Sequence, residues 1–349
     1  MIKTIGILGG GQLGRMLSMA AAQLGIKVHI YEPLPQPPAG DVAAQVFTAP
    51  YEDAEALRAF AESVDLVTFE FENIPAEALD IIEAITPVLP RRNALTVSQD
   101  RITEKRFLQE HGISVAPFAE VDTLPQLVAA LATIGTPAIL KTRRFGYDGK
   151  GQVKITDAAQ AEAAFSSLAG APAVLEQMIP FEREISIIAT RNEAGQVACF
   201  DPGENVHNDG ILHKTTVPAA ISHAMQTDAV LLAARILNAL DYVGVMGVEL
   251  FVTANGLMVN EIAPRVHNSG HWTQDACLID QFEQHIRAIA GWPLGDGQRH
   301  SDAEMLNLIG ADIQDLDTHK NAALHLYGKA DIKPGRKMGH VNRISPKST

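Results

Sequence analysis

Apolar residues at positions 5–8 run into glycines; from 13 to 24 they recur every three or four positions, and a second apolar run follows at 28–31. A short apolar run bounded by glycine reads as a buried strand, and a period of three to four reads as an amphipathic helix. The opening is therefore strand, turn, helix, strand, with Gly25 closing the helix. A proline-rich loop spans 33–38, and the rhythm resumes with a helical segment at 57–62 and a strand at 66–69. This alternation predicts a doubly wound α/β unit over residues 1–100.

From 100 to 112 the pattern is helical and charged, and 124–131 predicts another helix that leads into a strand at 138–141. A glycine-rich segment, 143–152, separates that strand from the next at 153–155, which predicts a hairpin with a mobile loop. Later strands are expected at 173–176, 184–189, 197–200, 247–252 and 257–260, with helices at 225–240 and 280–290. Strands here no longer alternate with helices, so this half reads as α+β with antiparallel pairing. A last strand falls at 323–327, and the polar tail 345–349 is expected to fray.

With 349 residues the chain predicts two or three domains. Its only two cysteines, Cys199 and Cys277, lie far apart without a C-x-x-C partner, which excludes a disulfide framework and a cysteine zinc site and predicts a reduced, cytoplasmic protein. No apolar run approaches the roughly 18 residues of a membrane span. The N-terminal apolar run lacks a cleavage pattern and reads as a strand, not a signal peptide. The 28 Lys and Arg against 41 Asp and Glu give a formal charge of −13, which repels a nucleic-acid backbone. On that background a local cluster of cations marks a place where a small anion would bind.

Gly9, Gly10, Gly11, Gln12, Leu13 and Gly14 fit G-x-G-x-x-G after a strand and at a helix start, where free N–H groups favour an anion. With Glu32 in the place of a ribose-binding acid, a dinucleotide site is one reading; close strand–helix packing is the other. Lys141 ends an apolar strand, and cations at 143, 144 and 150 stand among glycines at 146, 149 and 151. Such a loop can fold over a polyphosphate, although it lacks P-loop spacing, and a plain hairpin tip seldom combines so many cations with an inward-pointing lysine.

Glu249 and the pair Asn260-Glu261 interrupt two apolar strands joined by a turn at 254–256. A buried acid is costly unless paired or bound to metal, and two carboxylates with an amide oxygen suit Mg²⁺ holding substrate phosphates. The alternative, acids facing solvent or pairing with arginine, fits the apolar flanks less well. Arg265, His267, Asn268, His271 and Trp272 follow directly. Two histidines four apart would suit zinc, but Pro264 and Gly270 argue against a helix, so donors to an anionic substrate fit better. Lys329, Lys333, Arg336 and Lys337 place four cations within nine residues, which suits a phosphomonoester or, equally, a solvated charged loop.

In order, Lys141, the loop 146–152, Glu176-Gln177, Glu249 and Asn260-Glu261 resemble the ATP-grasp ligases. Residues 9–16, 69–73, 145–152, 260–273 and 334–340 are similar to the N5-carboxyaminoimidazole ribonucleotide synthetase family of purine biosynthesis, over nearly the whole chain. The resemblance implies an ATP-grasp architecture, α/β and α+β: an N-terminal Rossmann-like pre-ATP-grasp domain (1–100), a small lid domain (101–173) and a large α+β domain carrying a C-terminal substrate-phosphate segment (174–349). It implies ATP and bicarbonate as substrates, carboxyphosphate as intermediate, carboxylation of the amine of aminoimidazole ribonucleotide (AIR), Mg²⁺ or Mn²⁺ as cofactor, and a homodimer.

By that resemblance Arg101 and Lys141 contact ATP phosphates beneath the loop of Gly146, Tyr147, Asp148, Gly149, Lys150, Gly151 and Gln152. Glu176, Gln177, Met178 and Ile179 hold adenine, Glu184 the ribose, and His207 lies near the nucleotide. Glu249 and Glu261 carry the metal beside Asn260. Gly11, Gln12 and Leu13 with Glu70 or Glu72, on one strand face, surround AIR; Arg265, His267, Asn268, Lys329 and Arg336 surround its phosphate. Tyr147, Lys150, Arg265 and Lys329 are the catalytic candidates. Members often have Arg where this chain has Lys150, which keeps the charge but loses the planar fork. Rival readings are a formate-dependent glycinamide ribonucleotide transformylase, whose N-terminal loop has Glu in place of Gln12, an NAD-dependent oxidoreductase and a non-catalytic nucleotide sensor.

Overall fold

The strand Thr4–Leu8 has four consecutive buried residues, as expected where a parallel strand is covered on both faces. In the computed structural model, which describes residues 2–146 and 149–348, it lies inside a parallel sheet ordered Gln45–Phe47, Lys27–Tyr31, Thr4–Leu8, Leu66–Phe69. Side-chain alternation divides this sheet between two cores. Ile5 and Ile7 meet Met16 and Leu17 of the helix Gln12–Gln23, whereas Leu8 meets Leu57 and Phe60 of the helix Ala54–Glu62 on the other side.

The first core continues into Phe282 and Ile286 of the helix Gln281–Ile289, so the N-terminal unit is packed against the large one. His285 joins the same two units: its Nε2 lies 2.9 Å from Thr68 Oγ1, and its Nδ1 accepts the Val245 N–H at 3.1 Å.

A small antiparallel sheet follows, ordered Phe118–Val121, Ala173–Gln177, Ala138–Thr142, Gln152–Ile155, with its own core around Leu127, Leu131, Leu140 and Leu175. The expected division after residue 173 thus falls inside a strand of this sheet, because Leu175 and Glu176 pair with both neighbours. The helix Arg101–Glu110 is also placed differently from the expected lid. Leu108, with Ile113 and Val115 just beyond it, packs into the core of the large sheet, and the Val259 N–H donates to Ser114 O at 2.8 Å.

The large unit is one nine-stranded sheet running Gly256–Ala263, Gly244–Thr253, Arg183–Arg191, Gly203–Asn208, Ile211–Val217, Ser301–Ile309, Lys337–Pro346, Ala323–Leu326, with Val197–Cys199 paired to Arg183–Arg191. The C-terminal segment therefore completes the sheet. Its tail is held where fraying was expected: Ser345 and Pro346 pair with Asp302 and Ser301, and the Ser348 N–H donates to Asp302 at 3.1 Å. Thr349 lies outside the described residues. Among the described residues no helix is long and apolar enough to cross a membrane.

Candidate active site

A cleft of about 590 Å³ opens where the three sheets meet. Its first wall is the carboxyl end of the parallel sheet, where open α/β sheets present ligand sites. The glycine loop there is filled by the chain itself. The Gly10 N–H donates to Glu32 at 2.8 Å, the Gly14 N–H to Glu70 at 2.7 Å, and the Gly11 N–H to the other oxygen of Glu70. A Cβ on Gly11 would sit 2.6 Å from that oxygen, so only glycine permits the contact. With its amides bound to two carboxylates the helix start has no place for a pyrophosphate, which overturns the dinucleotide reading. Burial raises the Glu70 pKa, and the two amides oppose the rise.

Gln12 and Leu13 reach the cleft, whereas Gly11, expected at the substrate, stands behind the wall bonded to Glu70. Glu70 and Glu72 both line the cleft but do not share a strand face, since the strand stops at Phe69. Glu72 instead makes an ion pair across the cleft with Arg265 at 2.6 Å.

The second wall is the small antiparallel sheet. Lys141 Nζ lies 3.0 Å from Glu176, with Gln177, Met178 and Ile179 continuing the wall beyond it. Burial works against ionised Glu176, yet the ammonium groups of Lys141 and Lys105 hold its pKa below the ordinary value. Gly146, Gly149, Lys150 and Gln152 line the cleft from the loop; Tyr147 and Asp148 lie outside the described residues. Gly151 does not line it. With φ +70° and a would-be Cβ 2.7 Å from Thr142 Oγ1, it shapes the turn behind.

The large sheet supplies the third wall. Glu249 and Glu261 are direct partners in the hairpin, and the register slips beside them so that Asn260 is the extra residue of a bulge. The bulge brings the Asn260 amide onto Glu249, and all three residues line the cleft. Burial and the facing Glu261 push Glu249 up to about 7. For Glu261 burial acts in the same direction, but Arg101, 3.0 Å away, outweighs it and brings the group to about 2. Glu184 and His207 line the cleft in contact at 2.6 Å; burial disfavours the imidazolium, and Glu184 with Glu249 more than offsets this to raise the His207 pKa.

Past the acid pair stand Arg265, His267 and Asn268. Burial, then Arg265, lowers His267 to about 3, so it is a neutral ring, held by Ser269 Oγ at 2.8 Å. His271 turns away to Gln281 at 3.0 Å, so the two histidines do not converge on a zinc. Both amide atoms of Asn268 are buried without a protein partner among the described residues, as suits a group that meets a ligand.

Of the C-terminal cations, Lys337 lines the cleft. The two expected at the substrate phosphate are not among the described residues that line it: Lys329 donates to the Lys337 carbonyl at 2.7 Å and Arg336 to Asp331 O at 3.1 Å. Sequence reasoning also passed over Glu104, a buried acid in the cleft wall, Lys105, buried behind it, and the stacked rings of Phe181 and Phe251, 4.7 Å apart. A signal for the first two existed. Arg101, Glu104, Lys105 and Leu108 are spaced three and four apart, which puts charge on the buried face of a helix.

Three family models cover the chain: a ribonucleotide synthetase preATP-grasp domain at 2–99, an ATP-grasp domain at 106–282 and a phosphoribosylaminoimidazole carboxylase C-terminal domain at 303–349. An N5-carboxyaminoimidazole ribonucleotide synthase of Brucella melitensis is 54% identical over 99% of this chain and 97% of its own, and one of Bacillus subtilis 43% identical over 97% and 90%. Among solved structures, the synthetase of Thermus thermophilus superposes with TM-score 0.92 at 43% identity, covering 98% of this chain and 93% of its own. The Aspergillus clavatus synthase in complex with ADP and 5-aminoimidazole ribonucleotide superposes with TM-score 0.93 at 31% identity, over 99% and 94%. On three domain matches in sequence order and full-length identity above one half, the chain belongs to the N5-carboxyaminoimidazole ribonucleotide synthase family of ATP-grasp enzymes.

Proposed function

We propose that this chain is an ATP-dependent ligase that carboxylates the amine of AIR with bicarbonate. The observation that carries the reading is one continuous cleft lined by Lys141 and Arg101, by the paired acids Glu249 and Glu261, and by Arg265, Asn268 and Lys337. That set of charges supplies cations for a triphosphate and for a ribonucleotide monophosphate, with two acids for a metal between phosphates.

In this reading a bicarbonate oxygen attacks the γ-phosphorus, the bond to the β-phosphate oxygen breaks, and ADP leaves. The AIR amine then attacks the carboxyl carbon of carboxyphosphate, losing a proton as phosphate departs. Lys141 and Arg101 neutralise the phosphates, Lys150 covers them from the loop, and Glu184 with His207 orients the ribose. Arg265, Asn268 and Lys337 hold the AIR phosphate, with Lys329 and Arg336 bracing that segment. Closure of the lid excludes water while the labile intermediate exists.

Glu249, Asn260 and Glu261 fit Mg²⁺ or Mn²⁺, because two facing carboxylates, one pushed up to about 7, are the repulsion a divalent cation relieves. Bound there, the metal would supply charge neutralisation to the triphosphate. The two cysteines are free thiols, which supports a cytoplasmic enzyme, and the resemblance supports a homodimer, measurable by sedimentation.

The test is ADP release from Mg-ATP in carbonate-depleted buffer with AIR and bicarbonate each supplied or withheld. Full turnover requiring both, with an acid-labile carboxylated product, is expected. Turnover with glycinamide ribonucleotide and formate instead would transfer the function to the transformylase reading.

A further inference from the structure

Glu176 is 3% exposed, and a single oxygen, Oε2, receives two ammonium groups: Lys141 Nζ at 3.0 Å and Lys105 Nζ at 3.2 Å. The other oxygen has no partner among the described residues. The two lysines are not equivalent. Lys141 is the last residue but one of the strand Ala138–Thr142, is 9% exposed and lines the cleft. Lys105 projects from the helix Arg101–Glu110, is 1% exposed and does not line the cleft; among the described residues its ammonium reaches, besides Glu176, only the Asn260 carbonyl, at 3.4 Å. One cation is thus presented to a ligand and the other is sealed behind it.

A nucleotide polyphosphate entering the cleft draws Lys141 towards itself, and Lys141 then has two anions competing for it. Were it the sole contact of Glu176, its departure would leave a buried carboxylate with only the more distant Arg101 guanidinium as counter-charge, which is destabilising. With Lys105 in place the carboxylate stays paired throughout.

We propose that Lys105 is a positioning residue, the standing counter-ion of Glu176, which leaves Lys141 exchangeable between that carboxylate and the phosphates of the nucleotide. The inference rests on the ATP-using part of the reading above and is independent of AIR. It makes Lys105 act on nucleotide affinity through Glu176 alone. A purely structural role, tying the helix to the lid strand and the hairpin, would lower the melting temperature and would not depend on the charge of residue 176.

The experiment is calorimetric binding of Mg-ATP, without second substrate, to the full-length protein and to Lys105→Met, Lys105→Arg, Glu176→Gln and the double variant Lys105→Met/Glu176→Gln. Lys105→Met is expected to weaken ATP binding ten- to a hundredfold, because Lys141 is then the only partner of Glu176, while Lys105→Arg stays within a fewfold of the parent. In the Glu176→Gln background the same Lys105→Met change should alter the affinity less than threefold. Lys105→Met binding as tightly as the parent would overturn the proposal. So would a gap above tenfold between Glu176→Gln and the double variant, a comparison that holds even where the single Lys105→Met protein does not fold, since the double variant removes both charges of the pair. Parental ATP binding without AIR-dependent ADP release would count against the AIR reading and leave this inference standing.

Discussion

Lys337 shows how one residue's role depends on what stands behind it. Its side chain lines the cleft near Arg265 and Asn268, and its carbonyl is gripped by Lys329, whose ammonium also lies 5.5 Å from the Tyr327 ring. A cation on a phosphate is a charge-assisted hydrogen bond, worth about 1.5–3 kcal/mol. Lys337→Ala should therefore raise the KM for AIR roughly ten- to a hundredfold by that magnitude, with a much smaller change in the KM for ATP; initial rates varied in each substrate measure both. Equal effects on the two constants would remove Lys337 from the AIR site. The run of four cations was legible in the sequence, but which of them lines the cleft was not, because that depends on how the segment before the strand Lys337–Pro346 is laid against the large sheet.

At the scale of elements, the strand Thr4–Leu8 is anchored at its start by Asp65, whose carboxylate accepts the Lys3 and Thr4 N–H groups at 2.7 and 3.0 Å. These two amides hold the Asp65 pKa below its usual 3.8. A lowered folded-state pKa contributes stability above pH 3.8 that is lost as pH falls through the folded value. Asp65→Ala should then lower unfolding stability by about 0.5–1 kcal/mol at neutral pH, the modest size set by solvent exposure. The deficit should hold down to about pH 4 and shrink as the pH falls below it, read by denaturant unfolding at each pH; a constant deficit would assign the loss to the turn rather than the charge. The neighbouring glycine motif carries the opposite lesson. Its spacing correctly marked a strand, a tight turn and a helix start needing an anion. The anion proved to be Glu70, brought 56 positions along the chain to Gly14 by parallel pairing, and local pattern has no access to such a partner.

Across the whole molecule, the small sheet joins the rest through residues near 117 and 177, with Gly146, Gly149 and Lys150 of its loop lining the cleft. Arg144 and Lys150, both exposed, offer trypsin its sites in that loop. Mg-ATP should slow cleavage there severalfold, and removing the metal with EDTA should cancel the protection; mass spectrometry of the fragments reads both. Equal rates with and without nucleotide would contradict closure.

The sequence by itself determined the parallel unit, the lid hairpin, the acid-bearing hairpin and the resemblance that orders them, because hydrophobic period, glycine turns and motif spacing are local quantities. Tertiary structure alone decided that the helix Arg101–Glu110 packs on the large sheet, that the C-terminal strands complete that sheet, and that Lys105 stands behind Glu176. Each of these depends on which distant surfaces come together in a shared core, and burial, which turns an ordinary Lys–Glu pair into part of a site, exists only once they have met.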